Sequence, residues 1–378
     1  MVIGIDIRVL GNRIKSGIEE YTENLLSHLL SLDANVKFKL FFSSFNCELP
    51  EYDWLSLKNV EVFKHKIPNR FLFLSSGVFN FPKIDKLMGG VDVFLSPHFF
   101  LTSLSPSCRR VTVFHDLSFV RFPDFFSWRK NIWHNFEINP LWQSRFSDKI
   151  IAVSESTKND LINMYRIDPV KIEVIHSGIS PDIKKPSEEE LQDFRINNHL
   201  PDRFILFLGK LEPRKNVTSL IKAFDLIKSK KEFQNLFLII AGSKGWLYKD
   251  IFQTITNSNF KDNIIIKDYI TDSERKFYYS LAQVFIYPSF FEGFGFPPLE
   301  AMTCGTPVVV SNNSSLPEIV GSGGLLIQPH NIDEIAQSIM LILMDKKLKD
   351  RLIDHSLKKV SAFNWQITAE KTLQCLLY

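Results

Sequence analysis

Two glutamates, Glu292 and Glu300, stand on either side of a glycine pair and a proline pair in the stretch SFFEGFGFPPLEAM. A carboxylate can accept hydrogen bonds from two neighbouring hydroxyls, as sugars present them. Glycines let a backbone approach a ligand closely. A helix beginning at the proline pair would place Glu300 in its first turn, where N–H groups attract anions. The stretch therefore fits a ligand with hydroxyls at both ends and phosphate between them, as in a nucleotide sugar. The simpler alternatives are a helix-dipole carboxylate for Glu300 and a solvated loop charge for Glu292.

A cluster of cations follows another apolar run, in LFLGKLEPRKNV. Lys210, Arg214 and Lys215 come directly after a predicted strand over residues 204–208. An arginine fork and a lysine point charge are a common way to hold two phosphates. A solvated turn is the alternative. The two loops complement each other as a binding site for a nucleotide sugar. One would supply positive charge for the phosphates, and the other would supply carboxylates that accept hydrogen bonds from the hydroxyls.

A third candidate is His115, which ends the apolar run RRVTVFHD and is followed by Asp116. A histidine in this position is more often a structural or capping residue. A neutral imidazole can also donate to a sugar hydroxyl or orient an acceptor.

These loops need a scaffold, and short apolar runs alternate with helical stretches along the whole chain. This alternation predicts parallel sheets covered on both faces, and ligands of such sheets bind beyond the carboxyl ends of the strands. With 378 residues, two doubly wound α/β domains are expected. We place the first in residues 1–183, a charged, proline-bounded linker in 184–201, and the second in 202–363. Residues 364–378 predict a final amphipathic helix.

Composition restricts the class of protein. A formal net charge of +3 gives no reason to expect nucleic acid as a partner. Four scattered cysteines fit a reducing compartment. The N-terminus alternates polar and apolar residues, unlike a signal peptide, and no run reaches the length of a membrane span. A cytoplasmic protein is predicted.

Taken together, the motifs resemble the group 1 (family four) retaining glycosyltransferases of the GT-B fold. The resemblance rests on Glu292 and Glu300 with seven residues between them, LEPRKN, the GI loop at Gly17, VFHDLSF, AVSESTKNDL and the final NW. It implies two Rossmann-like domains that face each other across a cleft, with the last helix crossing back to complete the N-terminal, acceptor-binding domain.

The resemblance also implies donor-binding roles. Glu292 would hold the sugar hydroxyls and Glu300 the ribose diol, while Arg214 and Lys215 neutralise the diphosphate. Lys210 would also bind the donor, at a position where many members have arginine or a small residue. The remaining implied donor-binding residues are Gly17, Tyr269, Ile270, Gly293, Phe294 and Gly295.

On the acceptor side the resemblance implies His115, Asp116 and Ser154. The implied catalytic group is His115, Glu292, Lys215 and Arg214. No D-x-D pair and no His/Asp cluster occurs in the sequence, so a site without metal or other cofactor is expected.

The donor and the pathway come from a finer resemblance, to bacterial mannosyltransferases of O-antigen and polysaccharide assembly. It implies GDP-mannose as donor and a growing, lipid-linked glycan as acceptor. UDP-sugars remain an alternative. Another alternative is a non-catalytic nucleotide-sugar-binding protein. An epimerase, a phosphorylase and a dinucleotide oxidoreductase are further rivals; GFGFPP lacks the last glycine of G-x-G-x-x-G.

The segment 96–145 is rich in phenylalanine, tryptophan and basic residues. Such a mixture suits an anionic membrane interface, and it predicts peripheral attachment to the cytoplasmic face of the inner membrane. The alternative is that the aromatic residues belong to the core.

Overall fold

The chain forms two compact units in the computed structural model, which describes residues 1–11, 17–126 and 138–378. The first unit comprises residues 1–178 and 363–378, and the second comprises residues 179–362. Each is built on one parallel sheet with helices. The predicted α/β class with two Rossmann-like domains is confirmed.

The first unit contains a seven-stranded parallel sheet in the order β3-β2-β1-β4-β5-β6-β7. Its central strands are apolar runs with little exposure, as expected for a sheet covered on both faces, whereas the edge strand β3 exposes Glu61 and Lys64. The strands are Val2–Asp6 (β1), Lys37–Ser43 (β2), Val60–His65 (β3), Val93–Ser96 (β4), Arg109–Phe114 (β5), Lys149–Ala152 (β6) and Ile172–Val174 (β7). The helices described before the second unit are Gly17–Leu29 (α1), Asn69–Phe79 (α2), Ile84–Leu87 (α3), Ser118–Arg121 (α4), Pro140–Phe146 (α5) and Glu155–Tyr165 (α6).

The second unit repeats this plan with a six-stranded parallel sheet in the order β10-β9-β8-β11-β12-β13. Its strands are Phe204–Leu208 (β8), Phe237–Ala241 (β9), Ile264–Lys267 (β10), Val284–Tyr287 (β11), Val308–Ser311 (β12) and Gly324–Ile327 (β13). Its helices are Glu188–Asn197 (α7), Val217–Lys228 (α8), Lys249–Asn257 (α9), Asp272–Leu281 (α10), Phe296–Thr303 (α11), Leu316–Val320 (α12), Ile332–Met344 (α13) and Lys346–Val360 (α14).

The segment 184–201, predicted to be a linker, folds as part of the second unit. Ser187 and Glu190 form a capping box at the start of α7, which explains the charged composition of the segment. Leu191 is buried, and the ring of Phe194 stacks on Phe277 of α10 at 4.4 Å. The chain therefore passes between the units at Gly178 and Ile179 rather than after residue 183.

The final helix, Trp365–Leu377 (α15), belongs to the first unit. Its Trp365 is buried, and the indole lies edge-on to the Tyr21 ring of α1 at 5.5 Å. A Cβ atom on Gly178 would meet the backbone nitrogen of Trp365 at 2.3 Å. The close approach at Gly178 is thus what allows α15 to pack here.

The helix that carries Glu300 begins at Phe296, with Gly295 as its N-cap residue. The sequence predicted Glu300 in the first turn of this helix. In the structure it lies beyond the first turn. The two prolines occupy the first turn, in which missing N–H groups cost little.

Among the described residues, no helix combines the length and the apolar composition that crossing a bilayer requires.

Candidate active site

The topology of the second sheet brings two loops together. Strands β8 and β11 are neighbours, although β9 and β10 lie between them in the chain. The strand order reverses here, and ligands of doubly wound sheets bind at such a switch point. The loop after β8 carries Arg214 and Lys215, and the loop after β11 carries Glu292. Their meeting is a consequence of strand order.

The two predicted cations share the carboxylate of Glu292. Lys215 Nζ lies 2.7 Å from Glu292 Oε1, and Arg214 donates from a terminal nitrogen to Oε2 at 3.1 Å. The same arginine donates to the carbonyl oxygen of Phe291 at 2.7 Å. All three charged side chains are largely or fully buried. The cation loop and the glutamate loop thus form one ion-pair network, so Glu292 is not the solvated loop charge of the simpler alternative.

Two further residues complete this network. Arg214 also pairs with Glu212, whose Oε1 lies 2.9 Å from the guanidinium. Lys215 donates to the hydroxyl oxygen of Tyr287 at 2.6 Å. With Glu212 and Glu292 as anions and Arg214 and Lys215 as cations, the network balances its charges formally. Such balance is what allows charges to be buried.

The electrostatics follow from this packing. Burial opposes ionisation of Glu292, but the adjacent Arg214 and Lys215 outweigh it and lower the pKa of the carboxyl to about 2. Burial and the neighbouring Arg214 lower the pKa of Lys215, while Glu292 acts in the opposite direction. Burial and the charge of Glu292 raise the pKa of Tyr287. Glu292 is therefore a carboxylate at neutral pH, able only to accept hydrogen bonds.

The turn after Glu292 is held by two serines from the segment before α12. The backbone nitrogen of Glu292 donates to Ser314 Oγ at 3.0 Å, and Ser315 Oγ lies 2.6 Å from the carbonyl oxygen of Phe294. Gly295 has a φ of +113°, and a Cβ there would meet Leu316 Cδ2 at 2.9 Å. Only glycine fits this left-handed position, which starts α11 directly beside the ion-pair network.

Glu300 is a buried carboxylate with two partners on α10. Arg275 donates to its Oε1 at 2.8 Å, and the Tyr279 hydroxyl donates to its Oε2 at 2.7 Å. Burial, followed by the charge of Glu300, raises the pKa of Tyr279, so the phenol keeps its proton. A helix-dipole role alone does not account for a carboxylate held by this pair.

Three other predicted donor residues lie apart from these contacts. Lys210 is exposed, and its ammonium lies 5.5 Å from the ring centroid of Trp246; the structure does not bring it to Glu292. Tyr269 is 65% exposed while Ile270 is buried, and both follow β10 directly. The ring of Tyr269 is therefore accessible to solvent, whereas Ile270 packs into the core.

In the first unit, His115 follows β5. Its Nε2 lies 2.8 Å from the carbonyl oxygen of Pro97, and because a carbonyl can only accept, Nε2 carries the proton. The ring meets the Tyr21 ring edge-on at 4.8 Å. Burial lowers the pKa of His115, although the bond to Pro97 and the nearby carboxylates of Asp116 and Glu19 oppose it. The neutral tautomer with Nδ1 as acceptor is therefore favoured.

The other predicted residues of this unit have local contacts of their own. Asp116 Oδ1 accepts from the backbone nitrogen and the hydroxyl of Ser118, at 3.0 and 2.8 Å. Ser154 is buried and caps α6 by accepting from the nitrogen of Thr157 at 3.1 Å. Thr157 in turn donates to the carbonyl oxygen of His115 at 3.2 Å. Gly17 is exposed at the start of α1.

The aromatic segment 96–145 lies only partly within the described residues, since 127–137 are outside them. In the described part, the rings of Phe99, Phe114 and Phe119 belong to one buried cluster. Arg110 is also buried and donates to Thr102 Oγ1 at 2.9 Å. These side chains are core residues and cannot contact a membrane. For them, the alternative that the aromatic residues belong to the core is correct.

Sequence reasoning missed the residues that hold the two glutamates. Glu212 stood inside a quoted motif without a role, and Tyr287 lies two residues before the glutamate stretch. Arg275 and Tyr279 are four positions apart on α10, and this spacing places them on one face of a helix, but nothing local indicates that this face meets Glu300.

Two family models and a named relative match this chain. The family model for "Glycosyl transferases group 1" matches residues 188–359, and the model for "Glycosyltransferase Family 4" matches residues 15–183. O-antigen chain mannosyltransferase B of Escherichia coli is 31% identical over 286 residues, spanning 74% of this chain and 73% of that protein. The chain belongs to the group 1 glycosyltransferases.

This glycosyltransferase is also 30% identical over 244 residues to the serotype-specific mannosyltransferase WbdA of Escherichia coli, a match that covers 63% of this chain and 30% of WbdA. Among solved structures, HepE of Anabaena in complex with UDP and glucose superposes with a TM-score of 0.71 and 18% identity, covering 100% of this chain and 99% of that one. At such identity the likeness shows the fold, and it agrees with the GT-B fold implied by the sequence motifs.

Proposed function

We propose that this glycosyltransferase transfers mannose from GDP-mannose, with retention of anomeric configuration, to a growing lipid-linked glycan in bacterial polysaccharide or O-antigen synthesis. The mannosyltransferase names of the Escherichia coli relatives support the sugar and the pathway. The proposal uses no metal and no other cofactor. It places the reaction in the cytoplasm, at the inner face of the membrane.

The observation that carries this proposal is the shared contact of Arg214 and Lys215 with Glu292. A diphosphate beside this network would add acceptor oxygens for both cations. Glu292 would then turn its oxygens to the hydroxyls of the sugar. The two loops at the switch point would thus bind the two halves of the donor together.

The same groups account for catalysis. As the glycosidic bond to the diphosphate breaks, negative charge grows on the leaving oxygens, and fixed cations stabilise this charge. The first turn of α11 contains two prolines without N–H groups, so the helix contributes through its dipole, which is positive at the glycine turn. In the proposed front-face reaction, the bond from the sugar to the diphosphate breaks before the bond to the acceptor oxygen forms, through an oxocarbenium-like state. The departing phosphate takes the proton of the attacking hydroxyl.

Each unit contributes one further proposed contact. Glu300, oriented by Arg275 and Tyr279, binds the ribose diol. In the first unit, His115 Nε2–H donates a hydrogen bond to the carbonyl oxygen of Pro97, and Nδ1 would accept a hydrogen bond from a sugar hydroxyl. In these roles Glu300 and His115 act only as hydrogen-bond acceptors, and neither transfers a proton to the substrate.

A UDP-sugar is the second candidate donor, because the structurally similar HepE was solved with UDP and glucose. A non-catalytic protein with the same pocket is the alternative of another class. It would bind a nucleotide sugar and never release free nucleotide.

The test is a thermal-shift screen with GDP-, UDP-, dTDP- and ADP-sugars, followed by transfer assays with the donor that binds. A ligand that binds the folded state raises the melting temperature, and we expect the largest rise with GDP-mannose. Glu292→Ala should abolish transfer, whereas Lys222→Ala, an exposed change on α8, should not. A β-linked product from an α-linked donor would refute retention, and near-wild-type turnover of Glu292→Ala would refute the assigned site.

A further inference from the structure

One helix of the first unit presents a row of large apolar side chains to solvent. On α2, Phe71, Leu74 and Val78 recur with helical spacing, and Phe79 and Phe81 continue the row at the end of the helix. These five side chains, called here the α2 face, are between 60% and 74% exposed. Soluble proteins rarely leave so many neighbouring apolar groups in water without a partner.

The opposite side of α2 is fixed to the unit. Leu72 and Phe73 are buried, and Leu72 packs in a cluster with Phe41 and Phe94 of the sheet. Beyond the helix, Ser103 Oγ lies 2.6 Å from the carbonyl oxygen of Asn80. The α2 face is therefore the outer side of an anchored amphipathic helix.

Basic residues flank this face. Lys64, Lys66 and Arg70 are exposed before or at the start of α2, and Lys83 follows it. No aspartate or glutamate occurs from residue 62 to residue 84. The next acid, Asp85, is buried and accepts from the backbone nitrogen of Ser105 at 2.8 Å. Along the chain, the α2 face is thus flanked on both sides by positively charged residues.

We propose that the α2 face is a membrane-binding surface for anionic lipid bilayers. Apolar side chains would enter the interface between head groups and acyl chains while the flanking cations contact lipid phosphates. This inference rests on the proposed function, because a lipid-linked acceptor requires the enzyme to work at a bilayer. It places the membrane contact on α2 rather than on Phe99, Phe114 and Phe119 of the segment 96–145, which are buried.

The charges favour a bilayer over a second copy of the chain. A symmetric dimer brings the same patch of both subunits together, so the four cations of each copy would face one another without acidic partners. An anionic lipid surface meets both parts of the patch, the apolar row and the cations.

Vesicle co-sedimentation of the full chain tests the proposal. We expect binding to phosphatidylcholine vesicles that contain phosphatidylglycerol, little binding to phosphatidylcholine alone, and release at high salt. Leu74→Glu should weaken binding by about tenfold or more, since an apolar contact is lost and a repelling charge is added. Replacing Lys64, Lys66 and Arg70 by serine should remove the preference for anionic vesicles.

Matched controls lie in the second unit. Ile196 on α7 has the same 65% exposure as Leu74, so Ile196→Glu changes the charge and apolar area equally and should leave vesicle binding intact. Serine at the exposed Lys230, Lys231 and Lys347 matches the triple change. Circular dichroism and the donor-induced thermal shift report whether each variant is folded.

Equal vesicle binding by Leu74→Glu and the wild type would overturn the proposal. So would a concentration-dependent dimer that Leu74→Glu abolishes in the absence of lipid, because the face would then bind a second copy. A failure of the proposed function is separate: no nucleotide sugar would shift the melting temperature, whatever the vesicles show.

Discussion

Glu292 shows how a ligand site can be stabilised before any ligand arrives. Its carboxylate holds Arg214 and Lys215, which would otherwise be buried cations without an anion on that side. Removing one member of a buried ion pair costs about 3–5 kcal/mol, because the remaining charge stays buried. The residues proposed for catalysis thus also support the local fold, and substitutions must be judged by both readouts.

The depressed pKa of Glu292 predicts a pH-dependent contribution to stability. The carboxyl titrates near 2 in the folded chain instead of 4.5, so its contribution is complete above about pH 4.5 and is lost as the pH falls towards 2. Comparing the free energy of unfolding of the wild type and Glu292→Gln should show a difference of about 3 kcal/mol at pH 7. This difference should shrink as the pH falls below 4.5.

The control is Glu189→Gln, a change of an exposed carboxylate on α7. It should show no comparable pH-dependent difference. A gap between wild type and Glu292→Gln that stays constant from pH 7 to pH 3 would show that the ion pair does not control the titration of Glu292.

Helix α10 orients the carboxylate of Glu300 on α11. Thr271 and Glu274 form a capping box that begins α10, and the helix then presents Arg275 and Tyr279 to the same carboxylate. Because Arg275 and Tyr279 donate hydrogen bonds to both carboxylate oxygens, the side chain of Glu300 is held in one orientation. The nucleotide side of the proposed site therefore depends on packing between two helices.

Tyr279→Phe should consequently weaken binding of the nucleoside diphosphate. The change removes a hydrogen bond to a charged group, worth about 1.5–3 kcal/mol, and leaves Glu300 less well oriented for the ribose. Isothermal titration should show a loss of affinity for GDP but little loss for 2′,3′-dideoxy-GDP, which lacks the diol. Tyr278→Phe, at the adjacent buried position, is the matched control. Equal losses for both ligands would argue against ribose binding by Glu300.

The chain as a whole begins and ends in the same unit. Residues 363–378 leave the second unit and return to the first, where the hydroxyl of Thr368 donates to the carbonyl oxygen of His176 at 2.7 Å. Trp365 packs on Tyr21, which also contacts His115. The last helix therefore packs, through Tyr21, against the side of the unit that holds His115.

Trp365→Ala should destabilise the first unit selectively. Truncating a buried tryptophan typically costs about 3–5 kcal/mol, and the cavity would border Tyr21 of α1. Hydrogen exchange should quicken in α1 and α15 while strands β8 to β13 keep their protection. Ile367→Ala, on the same helix but 43% exposed, should have little effect. Loss of protection spread equally over both units would contradict this assignment.

Much of this organisation is local and could be inferred from the amino-acid sequence. Apolar runs alternating with helical stretches determine buried parallel strands, because both faces of such sheets are covered. Gly295 and the prolines after it determine a turn and a helix start, because φ values and missing N–H groups are properties of those residues themselves. The motif from Glu292 to Glu300 therefore indicated the family and the second Rossmann-like domain.

The tertiary structure decided which distant groups meet. Arg214 and Glu292 are brought together by the neighbouring positions of β8 and β11, and strand order is not encoded in either loop. The charged segment 184–201 resembled a linker until its capping box and buried Leu191 placed it on the second unit. Burial likewise separated core phenylalanines, such as Phe114, from the exposed Phe71 of α2. Composition gives the types of side chain available, whereas packing determines which of them are paired, buried or presented to a partner.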